Sequence, residues 1–509
     1  MTRTGSIPVL ETDAPRAGAR GWWALVVLML PVLLVSVDNT VLSFALPEIS
    51  LALRPSGAEQ LWIIDVYPLV LAGLLVTMGT LGDRFGRRRM LLIGATGFAA
   101  VSALAAFAPT ALTLIGARAL LGFFGAMLMP STLSLLRSIF VNRDQRRLAI
   151  AVWASAFSAG SALGPIVGGF LLEHFWWGSV FLIAVPVLIP LLVCAPLLVP
   201  ESRDPNPGRI DPISILLSMA TMIPIVYAIK SFAVDGPTVV AGLWAVLGFA
   251  MGALFVRRQL RADIPMLDMA LFRRGSFSGA ILVNLLSVVA LVGFLYYVSQ
   301  HLQLVLGLSP MVAGFALVPG MVAMIIAGLA IVPVSRRISP HVLIPAALVF
   351  SVIGYLLVAF IGGSILSLIL AFVALGIGIG AAETISNELI LASAPAEKAG
   401  AASAVSETAY ELGAVLGTAV LGGIITAFYR GALILPAGLG HAQAEAAKET
   451  LAGAYAVSHG LPHPLGTQLW DAATTAFGSG VGVTSLIGAG LVVLAGVIAA
   501  ATLKGRARS

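Results

Sequence analysis

Apolar stretches of roughly 20 residues recur along nearly the whole chain, separated by short connections, and that is the helical length needed to cross a bilayer core. With 59% hydrophobic and 10% charged residues over 509 positions, water cannot be the main solvent. Candidate spans are 22–46, 61–81, 90–108, 111–136, 147–171, 178–199, 212–231, 237–256, 277–301, 311–334, 342–361, 364–390, 402–428 and 479–503. They predict an all-α integral membrane fold of fourteen transmembrane helices. The first run is too long for the apolar core of a signal peptide and lacks a small-residue cleavage site, so it is read as helix 1.

A net charge of +6 would admit a nucleic-acid partner if the basic residues were clustered on one surface. Of the 29 Lys and Arg, only Arg54, Lys230, Arg430 and Lys448 fall on the side away from the N-terminus, and Arg118 lies within a span. All others fall on the N-terminal side, as the positive-inside rule requires of a cytoplasmic face. The charge therefore reports topology: a multi-pass protein of the cell membrane, both termini cytoplasmic, with the lipid bilayer rather than nucleic acid as partner. Cys194 stands alone in an apolar run, so no intrachain disulfide forms. The spacing of His441, His459 and His463 fits no regular metal site.

Polar connections near 200–211 and 257–276 divide the chain into a cytoplasmic N-terminus (1–21), six helices (22–200), two additional helices with their linkers (201–276), six helices (277–503) and a tail (504–509). The last external connection, 430–478, is the longest, with a helix-prone Ala-rich stretch near 441–457. An internal repeat supports the two six-helix bundles. Gly160 and Gly164 of helix 5 fall on Gly413 and Gly417 of helix 13, and Gly168–Gly169 fall within one residue of Gly422–Gly423. Transporters built from repeats bind substrate between them near the midplane.

An ionisable group in hydrocarbon costs roughly 3 kcal/mol or more, which makes each one inside a span a functional candidate. Asp38 of helix 1 and Arg118 of helix 4 lie level in depth, so they can pair. Asp65 of helix 2 sits beside Trp62 and Tyr67, aromatic faces that suit a delocalised cation. Glu407 and Glu411, four residues apart, share one face of helix 13 next to Tyr410, with Glu383 of helix 12 near the same depth. Glu388 lies nearer the membrane edge. Like charges held out of water favour one carrying a proton, which an arriving cation could replace.

Between helices 2 and 3 the residues Gly79, Asp83, Arg84, Gly86, Arg87 and Arg88 resemble the signature loop of the major facilitator superfamily. There they form a gate motif: the glycines allow a tight turn and the charges latch to helix ends. Gly160, Gly164, Pro165, Gly168 and Gly169 resemble the motif of that family's antiporter branch. Asp38 to Pro47, "LWIIDVYPLVLAG" and "KAGAASAVSETAYELG" resemble the fourteen-helix drug:proton antiporters, multidrug exporters of the QacA type. The resemblance implies a major facilitator fold, two six-helix bundles plus two linking helices. It also implies an antiporter, driven by the proton gradient without a cofactor, that exports lipophilic cations. Asp38, Asp65, Glu407 and Glu411 would take part in cation recognition and proton coupling, with Glu383 and Arg118 beside them and Trp62, Tyr67 and Tyr410 lining the cavity. A dedicated exporter of an endogenous metabolite or lipid-like compound is the alternative. The expected protein is a monomeric transporter and not an enzyme; no GxxxxGK[ST] phosphate loop is present.

Overall fold

The computed structural model describes residues 16–204, 211–262, 269–335, 337–393 and 399–503. The segments 1–15 and 504–509, parts of both linkers, and Arg3, Arg209, Arg336, Lys398, Lys504, Arg506 and Arg508 of the basic set lie outside these residues.

Every regular element among the described residues is helical. The long helices are α1 (Ala19–Leu53), α2 (Gly57–Phe85), α3 (Arg87–Ala106), α4 (Ala111–Ile139), α5 (Arg143–His174), α6 (Ser179–Leu198), α7 (Pro212–Asp235) and α8 (Val239–Arg261). After these come α9 (Gly275–Val305), α10 (Pro310–Ser335), α11 (Pro340–Ile361), α12 (Ile365–Ser393), α13 (Val405–Ala432) and α14 (Leu465–Thr502). Thirteen are long and apolar enough to cross a membrane, and α5 makes a fourteenth with a 41° bend. The bend falls where Pro165, lacking an N–H, forfeits the bond to the carbonyl of Ser161 four residues earlier. Helix starts are set by side chains that accept otherwise unpaired amides: Ser56 with Glu59, Thr110 with Thr113, Asn142, and Asp211.

The turn between α2 and α3 shows why its residue types recur in order. Gly86 has φ 115°, a conformation L side chains rarely adopt, and a Cβ there would lie 2.8 Å from the Glu201 carboxylate. Glu201 accepts the backbone N–H groups of Arg88 and Arg89 at 3.0 and 3.2 Å, sitting as an anion on the positive end of α3. Arg87 pairs with Asp83 at 2.8 Å, and the Arg88 guanidinium donates to the Val199 carbonyl at 3.0 Å. The loop therefore clamps α2 and α3 to the end of α6, while Arg84 is exposed over Phe85.

The repeated glycines do the same job twice. Gly160, Gly164 and Gly168 present a Cβ-free line on which α1 rests at Leu33, Ser36, Thr40 and Val41. Gly413 and Gly417 of α13 receive α9 at Leu285, Val288 and Val289 in the corresponding way. Gly169 faces Pro310 and Met311 of α10, and Gly422 faces Leu61 of α2, so each glycine helix also forms one seam between the first six spans and the last six. Hydrogen bonds joining the two groups include Gln60–Gln300, Gln303 to the Phe44 carbonyl, and Ser309 and the Met311 N–H to Glu173. These lie away from the Asp83–Arg89 turn.

The pair α7–α8 packs outside this body. Most of α8 is exposed, whereas α7 leans on α2 and on α13. Asp211 caps α7 and forks onto the Arg258 guanidinium at 2.8 and 2.9 Å; those hydrogen bonds, with Ser214, hold its carboxyl well below the usual carboxylate range.

Two readings need correction. Helix α14 begins at Leu465, not near 479, because its first turns bury an apolar stripe of Leu469, Ala473 and Phe477 where it packs the short helix Leu451–His459. Polar Gln468, Asp471 and Thr474 on the other face had masked that stripe in the hydropathy. Lys230, counted as external, is buried within the protein at 1% exposure, since α7 continues to Asp235.

Replacing Gly86 by Ala should cost about 1–3 kcal/mol of stability through the strained backbone and displaced Glu201. A detergent thermal-unfolding measurement that finds no loss would show the turn tolerates a side chain.

Candidate functional site

The ionisable residues of the spans gather at two places. At the first, Arg118 of α4 donates to the Asp38 carboxylate of α1 at 2.7 Å, with both side chains almost fully buried at 2% and 8% exposure. Arg118 also donates through Nε to the Ile63 carbonyl at 3.2 Å and lies 4.5 Å from the centre of the Tyr67 ring. The guanidinium is thus held by charge, hydrogen bond and ring face together, which offsets its loss of water.

Next to Asp38, Asn39 donates to Glu411 Oε1 of α13 at 3.4 Å, across the boundary between the first and last six spans. Glu411 is buried, and its Oε2 has no hydrogen-bond partner among the described residues. Glu407, one turn away and half-buried, lies within Coulombic range of Arg137 on α4. Glu383 of α12 is half-buried with Oε1 unbonded among the described residues, and its charge and that of Glu411 both reach Tyr410. The Tyr410 ring meets Phe157 of α5 edge-on at 5.8 Å, a second contact between the two groups of spans. Glu388 is exposed.

The second place is the seam between α2 and α13. Asp65 is completely buried, and its carboxylate is 2.9 Å from the ammonium of Lys230 on α7. That ammonium stands 3.8 Å from the centre of the Trp62 ring. The Thr418 hydroxyl of α13 also reaches Asp65. Thr418 lies in Gly417–Gly422, a π-helical interruption of α13, and such interruptions are frequent at functional sites.

The aromatic environment read around Asp65 is thereby revised. Trp62, three residues before Asp65, shares its face and holds Lys230. Tyr67, two residues after, is turned by about 200° and faces Arg118 instead. Two residues with no role in the sequence reading join the sites. Asn39 stood in a quoted motif, but a neutral amide gives no burial alarm. Lys230 carried one: with Met222 and Val226 it forms an i, i+4, i+8 stripe, the register of a single helix face.

The family description Major Facilitator Superfamily matches residues 28–418. The chain is 59% identical over 485 residues to the "Multidrug efflux pump LfrA" of Mycolicibacterium smegmatis, covering 95% of this chain and 96% of that one. It is 36% identical over 470 residues to the "Methyl viologen resistance protein SmvA" of Salmonella typhimurium, covering 90% and 93%. In fold it is similar to the crystal structure of a bacterial homologue of the human lysosomal transporter Spinster, with TM-score 0.64, 16% identity, and coverage of 96% and 100%.

Asp38→Asn strands a buried guanidinium and should destabilise the protein by about 3–5 kcal/mol, whereas adding Arg118→Gln should restore part of the loss. Strictly additive melting shifts in detergent would mean the two side chains do not act as a pair.

Proposed function

The chain belongs to the major facilitator superfamily, and from that premise we propose that it exports lipophilic cationic drugs, dyes and quaternary ammonium compounds in exchange for protons. The names of its relatives, a multidrug efflux pump and a methyl viologen resistance protein, support that substrate class. Methyl viologen is itself an organic cation.

The observation that carries the reading is the Glu411 carboxylate, buried between the two groups of spans, bonded at one oxygen to Asn39 and at the other to none of the described residues. A carboxylate so placed is stable out of water when it holds a proton or a cation, and each excludes the other. Glu407 and Glu383 add carboxylates at half-buried positions, while Asp38 is already neutralised by Arg118. The first and last six spans then act as two rocking bodies around these groups, each half turn changing the Asn39–Glu411 contact. A proton entering from outside releases the cation outward, and proton release inward readies the carboxylates for the next one. Both termini face the cytoplasm in this scheme, with the basic Asp83–Arg89 turn on the inner surface.

In vesicles with an imposed pH gradient, the protein should move ethidium against its concentration gradient, and Glu411→Gln should lower the coupled rate about tenfold or more, ~1.4 kcal/mol in the barrier. Ethidium movement that ignores the gradient would overturn the coupling. Full transport by Glu411→Gln would remove this residue from it.

A further inference from the structure

Lys230 belongs to the α7–α8 pair, outside the two groups of spans, yet its ammonium ends on Asp65, the most buried carboxylate among the described residues. What surrounds that ammonium is what an organic cation would need: one carboxylate at 2.9 Å, one indole face at 3.8 Å, and apolar walls from Leu69, Val226, Val415 and Ala419. We propose that Lys230 is a tethered cation that fills the Asp65–Trp62 site from within the chain. A lipophilic monocation is admitted there only by displacing it, so Lys230 sets which substrates the site accepts.

Three observations separate this role from a plain structural ion pair. An ion pair kept dry for stability needs hydrogen bonds to offset its desolvation, as Arg118 and Asp38 have. Lys230 has fewer: among the described residues its ammonium meets the Asp65 carboxylate at 2.9 Å and the Trp62 ring face, one acceptor for three N–H groups, and Thr418 is the other group that reaches Asp65. The lysine also comes from the most peripheral part of the molecule. Its partner α8 is largely exposed, and α7 leans on one helix from each group of spans, α2 and α13. Finally, Asp65 sits on one of the two seams, beside the π-helical turn of α13, so its surroundings change whenever that seam opens. With Lys230 in place the site is neutral and a second cation there would be unbalanced; with Lys230 withdrawn, one carboxylate and one ring face await a monocation.

The proposal rests on the cation-export reading for the class of ligand, but its test needs no gradient. The chain has only four lysines, Lys230, Lys398, Lys448 and Lys504, so acylation can be assigned residue by residue. Purified native protein is treated with acetic anhydride, with and without saturating tetraphenylphosphonium, and mapped by peptide mass spectrometry. Acetylation of Lys230 should rise about fivefold or more with the cation as the displaced population grows, while Lys448 stays unchanged. Unchanged or reduced acetylation of Lys230 overturns the proposal.

A second arm measures tetraphenylphosphonium binding at equilibrium. Lys230→Met should bind about tenfold more tightly than the native protein, since apparent affinity no longer carries the fraction of time the site is self-occupied. The gain should vanish when Asp65→Asn is added. No gain, or a gain that survives in the double variant, overturns it; if Lys230→Met does not fold, the acylation result on native protein decides alone. A protein that passes both arms but moves ethidium without regard to pH would lose the coupling mechanism and keep this site.

Discussion

Out of water, a charge is tolerated only beside its opposite or with its proton retained, and the arrangement of the described spans follows from how each ionisable group meets that demand. Asp38 and Arg118 meet it fully, with a ring face and a carbonyl added to the ion pair. Asp65 and Lys230 meet it in charge, with less hydrogen bonding around the ammonium. Among the described residues, Glu383 and Glu411 have no basic side chain bonded to them, and Glu407 lies at longer range from Arg137. The first six spans are thus electrically settled, whereas the unsettled charge is concentrated on α12 and α13. A proton or a cation has the most to gain on that side.

Close packing makes this unequal distribution usable. Where α1 crosses α5, and α9 crosses α13, glycines remove the Cβ atoms that would hold the backbones apart. The same two glycine helices supply the seams between the groups of spans, through Gly169 against α10 and Gly422 against α2. A backbone seated on glycine meets a smooth surface, which favours sliding or rocking as a unit over local deformation. The charged residues lie beside these contacts: Asp38 and Asn39 on the helix that α5 carries, Glu411 and Thr418 on α13 itself.

Much of this was legible in the sequence, and the exceptions have physical reasons. Span count, helical class and the glycine repeat follow from hydropathy and spacing, because a bilayer imposes one length and one secondary structure. The meeting of Asp38 with Arg118 was legible from depth alone, since helical rise is constant. Depth, however, says nothing about which way a side chain points around the helix, so Tyr67 was read beside Asp65 when it faces Arg118. Hydropathy windows fail where a helix is apolar on one face only, as at the start of α14. Lys230 was misplaced for a related reason: a lysine near the end of an apolar window looks like a boundary, and only the continuation of α7 to Asp235 places it inside.

The two seams are related by the repeat yet closed by different chemistry, and that difference bears on what the additional helices are for. The α5–α10 seam closes through backbone contact at Gly169 and Gly314, with Glu173 accepting from Ser309 and Met311 at its exposed edge. Those bonds form and break in contact with solvent, so they cost little either way. The α2–α13 seam instead carries Asp65 in a dry setting, where an unpaired carboxylate would resist every opening. Within the first six spans Arg118, the buried cation, is already engaged by Asp38. The inserted pair supplies one from outside the repeat, so α7 is more than a spacer between the halves: it completes the charge balance of one seam and leaves the other unchanged.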